Sequence, residues 1–388
     1  MPQTLQARSL VTASHIIQRP TITISADGII TSIEPDSAPK SATTTLATTF
    51  FDIHTHGGAG HDFMEATPEV FRKVGSFLGS HGVGHYLPTT VTASVDQTLA
   101  SLEGIAREID RSAGPDWDPA HARPVGIHLE GPFISHAKRG VHPPSQILPP
   151  DVALFDRFQQ AASGHIRLIT IAPEVPGAPG LIHHCAQQGV RVSIGHSNAT
   201  AAEARAGIET GARSATHTFN AMRPLDHREP GVLGVVLDED ALYAELICDG
   251  VHVAPELVRL WLKAKGPRHA VLVTDSMAAA GMPDGEYTLG TFKVHVADGR
   301  ALAADDLAQG KQTLAGSVLT LDRAVANLQR FTGAPLEVAV RLASNNPAIL
   351  LGLGDTVDGI KEGKPANFNV FNEDDELQGT ILLGRHVQ

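Results

Sequence analysis

Residues 50–60 read Phe-Phe-Asp-Ile-His-Thr-His-Gly-Gly-Ala-Gly. Residues 49–54 have the apolar, β-rich character of a buried strand, and Gly57, Gly58 and Gly60 beyond it supply a tight turn. At the period of two that a strand imposes, Asp52, His54 and His56 share one face. Two imidazoles on one face at the end of a strand can grip a metal ion. The segment is the first of a series. Seven further apolar, β-rich segments follow at 83–90, 124–130, 166–172, 190–196, 213–217, 243–249 and 270–275.

Most of these segments are separated by helix-like stretches. Leu99, Leu102, Ile105 and Ile109 fall on one helical face, and Ser94 with Gln97 has the spacing of a capping box. Thr200 and Glu203 repeat that signal, and 254–265 reads as a helix stopped by Gly266. Alternating strand and helix implies parallel strands with crossover helices, and eight units imply a (β/α)8 barrel. The competing doubly wound sheet would show a G-x-G-x-x-G turn after its first strand, and HTHGGAG lacks it. Both ends of the chain alternate as β-structure: 22–35 around a turn at Ala26-Asp27-Gly28, then 367–371 and 378–383 around a turn at 372–375. The expected fold class is therefore α/β, a (β/α)8 TIM-like barrel with a small β-sandwich built from both chain termini. The expected domains are 1–48 and 358–388 for the two parts of the sandwich and 49–357 for the barrel.

Composition narrows the function. The 388 residues are 42% hydrophobic and 19% charged, which excludes a disordered, collagen-like or coiled-coil chain. A net charge of −12 without a Lys/Arg cluster gives no footprint for nucleic acid. Two cysteines, no secretory leader and no long apolar run predict a cytoplasmic protein without a membrane span. Histidine is frequent, 20 residues, and its placement matters more than its number.

In a barrel of this kind, chemistry sits at the C-terminal ends of the strands. Those ends carry His54 and His56, His128 and Glu130, His196, His217, Asp249 with His252, and Asp275. Six of the eight ends thus carry His, Asp or Glu. Leaving that many polar groups buried without partners would be costly, so a shared metal centre is the simpler reading. Nitrogen and carboxylate ligands suit Zn²⁺, with Fe²⁺, Mn²⁺ or Co²⁺ as alternatives.

The stretches FFDIHTHG, GIHLEGPFISHAKRGVHPP, SIGHSNAT, THTFNAM, REPG, ICDGVHV and VTDSMAAAG resemble the amidohydrolase superfamily and, within it, the N-acetylglucosamine-6-phosphate deacetylases. The resemblance runs from the first strand to about Pro347. It implies metal ligands at Glu130, His196 and His217, and a second ion at His54 and His56 with Asp275 nearby and Glu130 as the bridge. Asp275 is implied as the acid–base residue and His252 as a substrate contact that polarises the carbonyl. His142, Asn220, Ala221 (through its N–H) and Arg228 are implied to hold sugar and phosphate. Arg228 would reach across from a neighbouring subunit, so a homodimer with shared sites is expected. The implied reaction is hydrolysis of the acetamide of N-acetyl-D-glucosamine 6-phosphate, in amino-sugar catabolism and cell-wall recycling. The galactosamine epimer, or another small amide, is the rival substrate. No lysine stands at a candidate strand end, which disfavours the branches bridged by a carbamylated lysine. Outside this set, His183-His184 falls in a helix-like stretch and His61, His81 and His85 read as structural or solvent-facing. Cys248 reads as a small buried hydrophobe, and Asp52 as a group able to orient a histidine.

Overall fold

The computed structural model describes residues 2–12, 15–354 and 359–387. Eight parallel strands form the barrel: β1 (Phe50–Thr55), β2 (Val83–Thr90), β3 (Ile127–Glu130), β4 (Ile166–Ile171), β5 (Arg191–Ile194), β6 (Ser214–Ala215), β7 (Tyr243–Ile247) and β8 (Ala270–Val273). Neighbours pair in chain order from β1 to β8. Between β8 and β1 the ring is closed just beyond the strand ends. There the amide of Asp275 donates to the carbonyl of His54, and that of His56 to the carbonyl of Ser276, both at 2.8 Å. The expected barrel is present.

The strand segments expected at 190–196 and 213–217 are shorter in the structure, ending at Ile194 and Ala215. The reason lies in the backbone. His196 and His217 have φ of +46° and +30°, a left-handed turn that no strand can continue through. The segment expected at 124–130 is likewise split into Arg123–Pro124 and Ile127–Glu130. The helix Val95–Ser112 buries Leu102, Ile105 and Ile109, and its Ser94–Gln97 capping box is formed. The Thr200–Glu203 box is formed as well. Gly266 breaks the helix Pro255–His269 with a φ of +62°.

The two chain ends meet in one mixed sheet. Its strands run in the order Arg385–His386, Leu377–Leu382, Phe368–Phe371, Thr45–Thr48, Ser9–Val11, Ile16–Gln18. A three-stranded sheet from Gln3–Gln6, Thr21–Ile24 and Ile30–Glu34 shares its own core of Leu10, Ile22, Ile24, Leu46, Phe368 and Ile381. The boundary expected at 357/358 lies outside the described residues. A third small sheet (285–303) follows β8. Its core includes Met277, Leu289, Val294 and Val296, and it leans over the mouth of the barrel. Among the described residues no helix is long and apolar enough to cross a membrane.

Candidate metal centre

Layers of branched apolar side chains usually fill a barrel of this kind. Here the upper interior is polar instead. Asp52, His54, His56, Glu130, His196, His217, Glu245 and Asp275 are all at most 8% exposed. Six of them converge because each stands near, at or just past the end of its strand, while Asp52 and Glu245 point in from the middle of β1 and β7. His196, His217 and Asp275 adopt positive φ, and so do Phe219 and Ala221 beside them. Such conformations are unfavourable for residues with a Cβ and persist only where surrounding contacts impose them.

Two overlapping clusters result. In the first, Glu130 Oε1 lies 3.2 Å from His196 Nε2 and 3.1 Å from His217 Nε2, and the two Nε2 atoms are 3.1 Å apart. In the second, Asp275 Oδ1 lies 3.1 Å from His56 Nε2 and 3.6 Å from His54 Nε2. Glu130 joins them: Oε1 is 3.5 Å from His54 Nε2, and Oε2 is 3.3 Å from His56 Nε2. Ligands about 2.0–2.1 Å from a tetrahedral ion sit roughly 3.3–3.4 Å from one another, so these spacings suit a metal.

The hydrogen bonds behind the rings decide which atoms face inward. His56 Nδ1 lies 3.1 Å from the carbonyl of Thr89, and His196 Nδ1 lies 2.9 Å from that of Lys138. A carbonyl only accepts, so Nδ1–H donates in both rings. The Nε2 lone pair of each neutral ring then faces carboxylate oxygens. Lone pair against lone pair is repulsive unless a cation lies between. His54 Nε2 is likewise buried without a hydrogen-bond partner. The donor set therefore fits one or two divalent cations. In their absence protons take the same role. Burial pulls the His56 imidazolium down, but Asp275 and Glu130 outweigh it and raise its pKa to about 9. Burial alone would raise Asp275 and Glu130, yet the imidazoles hold both below the usual carboxylate range.

His142 also lies close to Glu130 and His196. Its Nδ1 accepts from the Thr92 amide at 3.3 Å, so its Nε2 carries the hydrogen and points toward Glu130 Oε2, 3.7 Å away. His142 is thus a donor into the cavity, and His217 is the better third ligand of the first cluster. His252 Nδ1 is held by Asp249 Oδ2 at 2.6 Å, while Asp249 Oδ1 accepts the amides of Val251 and His252.

A cavity of about 360 Å³ opens over the cluster and is lined by His56, Glu130, His142, His196, His217, Asn220, Ala221, His252, Asp275, Gln312 and Thr313, among others. His54 lies just beneath it, fully buried. One expected residue is elsewhere: Arg228 is exposed on the 223–230 loop and does not line the cavity of its own chain. A larger cavity of about 760 Å³ lies at the opposite end of the barrel, between the strand starts and the terminal sheet. No group of convergent ligand atoms lies in it among the described residues.

Sequence reasoning passed over Glu245, Lys138 and Thr92 as supports of the site, and it gave Asp249 a strand end but no role in holding His252. Glu245 is the most instructive. It sits in the middle of β7, inside a run of apolar residues (Tyr-Ala-Glu-Leu-Ile), and a charged residue in such a run is the signal that was available. His128, too, is fully buried: its Nε2 is 2.9 Å from Thr170 Oγ1, and its ring packs edge-on against His54.

A barrel with two buried His/carboxylate clusters at its strand ends defines a class of metal-dependent hydrolases. The Amidohydrolase family model matches residues 45–387, and the chain belongs to the amidohydrolase family. Its relatives are narrower in kind. It is 38% identical to an N-acetylgalactosamine-6-phosphate deacetylase of Escherichia coli, over 99% of both chains. It is 35% identical to an N-acetylglucosamine-6-phosphate deacetylase of Bacillus subtilis, over 97% of this chain and 94% of the relative. Among solved structures, a mutant N-acetyl-D-glucosamine-6-phosphate deacetylase of Mycobacterium smegmatis in complex with N-acetyl-D-glucosamine 6-phosphate superposes with a TM-score of 0.91. That pair shares 33% identity over 100% of this chain and 99% of the other.

Proposed function

We propose that this protein hydrolyses the acetamide of an N-acetylhexosamine 6-phosphate, N-acetyl-D-glucosamine 6-phosphate first, to the free amino sugar phosphate and acetate. The observation that carries this reading is the Glu130–His196–His217 triangle joined through Glu130 to His54, His56 and Asp275, in a chain whose full-length relatives are deacetylases of such sugars. When bound there, a divalent cation, Zn²⁺ by its ligand set, polarises the carbonyl and makes water acidic enough to attack at neutral pH. Fe²⁺, Mn²⁺ and Co²⁺ are alternatives with the same ligand preferences.

The chain's own groups do the rest. Asp275 accepts the proton of the attacking water and returns it to the leaving amine nitrogen. His252, fixed at Nδ1 by Asp249, contacts the substrate from the cavity wall. His142 donates its Nε2–H to the substrate, and Asn220 and the Ala221 amide hold the sugar and its phosphate. Arg228 completes the phosphate site of a neighbouring subunit in a homodimer, which agrees with its exposure outside its own cavity.

The galactosamine epimer is the second reading, because a deacetylase of that epimer is among the full-length relatives. The test is acetate release from both epimers and from unphosphorylated N-acetylglucosamine. Faster turnover of the gluco epimer supports the first reading, and faster turnover of the galacto epimer supports the second. Equal turnover with and without phosphate removes the phosphate site. No turnover of any sugar by metal-loaded protein overturns the deacetylase.

A further inference from the structure

Glu245 is fully buried, and among the described residues no lysine or arginine pairs with it. Its Oε2 lies 3.1 Å from His54 Nδ1 and accepts the backbone N–H of His217 at 3.3 Å, while Oε1 is buried without a partner. A carboxylate taken out of water on so few contacts is costly unless a cation compensates it nearby. On the far side of the His54 ring, Nε2 faces Glu130 and Asp275 with no hydrogen bond of its own.

We propose that Glu245 is the positioning residue that makes the His54–His56–Asp275 corner a cation site in its own right. The inference rests on the proposed metal centre and names what its second ion depends on. As an acceptor at Nδ1, Glu245 holds the hydrogen of His54 there and leaves the Nε2 lone pair free for a metal. An amide in its place can still accept at Nδ1 through its oxygen, but it can also turn its NH₂ there, which puts the hydrogen on Nε2 in part of the molecules and weakens the site. The other corner does not share this dependence. His196 is held by the Lys138 carbonyl, and Glu245 reaches His217 only through the backbone.

The experiment strips the full-length protein with chelator, reloads it from buffered zinc, and measures zinc per chain together with the affinity of each ion. The unaltered protein is expected to take two ions. Glu245→Gln, equal in volume and still able to accept, should weaken the second ion by about 10-fold. Glu245→Met, which cannot accept, should weaken it by about 100-fold, and both should leave the first ion in place. Circular dichroism and unfolding temperature check that both variants are folded. A residue that only fills space would lower the unfolding temperature without this graded, one-ion effect.

The proposal is overturned if both variants hold two ions at unaltered affinity, if they lose both ions together, or if the unaltered protein takes a single ion. A protein that takes no ion at all would overturn the metal reading itself, a result distinct from those three.

Discussion

The two halves of the cavity are built in opposite ways. The metal half is made of side chains at most 8% exposed, several of them locked from behind by the Thr89 and Lys138 carbonyls or by Glu245. The half proposed for recognition includes half-buried Asn220 and Ala221, and its expected cation, Arg228, stands in solvent on a loop. The difference follows from what each half must hold. Polar atoms facing a cation in a closed cavity must be oriented beforehand, because water cannot correct them. A phosphate arrives from solvent and leaves again, so its partner is best kept solvated while the site is empty.

The largest expected effect tests the metal half. Asp275→Asn keeps the shape of the side chain but removes the proton acceptor. Its kcat for acetate release should fall by about 10³-fold or more, within the range expected for a general acid–base group. Removing metal with a chelator should abolish turnover, and added zinc should restore it. Arg228→Ala tests the other half. A charge-assisted contact to phosphate contributes roughly 1.5–3 kcal/mol. KM should therefore rise about 10- to 100-fold while kcat stays within a few-fold. If Arg228→Ala lowered kcat as far as Asp275→Asn does, the division between the halves would be wrong.

Mixing Asp275→Asn with Arg228→Ala, assayed at substrate well below the raised KM, sharpens the same point. In a mixed dimer of the proposed kind, the subunit with intact Asp275 would receive Arg228 from its partner, so turnover with the unaltered KM should be recovered on mixing. Absence of recovery, with mixed dimers demonstrated, would mean that Arg228 acts within its own chain or not at all.

How far the sequence reveals each half follows from the same contrast. The barrel and the metal half are legible because strand period and strand end fix both place and direction. His54 and His56 share a face by spacing alone, and Glu130, His196, His217 and Asp275 follow apolar segments. The supports are hidden for a physical reason: Thr89 and Lys138 act through backbone carbonyls, which carry no residue signature. Glu245 sits 191 positions from the histidine it orients. The early ends of β5 and β6 are hidden as well, because the left-handed turns at His196 and His217 are imposed by tertiary contacts. Arg228 comes only from family resemblance, since an exposed loop arginine looks like any other.

The smallest expected effect is on stability, and only the metal half should show it. In metal-free protein, a proton on His56 stands between Asp275 and Glu130, which raises its pKa from about 6.5 to about 9. A group whose folded pKa is raised binds its proton more tightly in the folded state. Its stabilisation is therefore fully present below about pH 6.5 and is lost as pH rises through 9. Asp52, raised by burial to about 6, acts in the same sense at lower pH, between about 3.8 and 6. Metal binding runs the other way, because an ion must displace the proton from His56. The gap in unfolding temperature between zinc-loaded and metal-free protein should thus widen from pH 6.5 to pH 9. The underlying change is a few kcal/mol, or several degrees, by the usual conversion of a pKa shift. Calorimetry at intervals of half a pH unit measures it. Arg228→Ala should leave this widening intact, and His56→Gln should reduce it, with His54, whose pKa the same two carboxylates raise against burial, carrying the rest. A gap independent of pH in the unaltered protein would mean that protons do not replace the cation, and the lone-pair argument for the centre would fail with it.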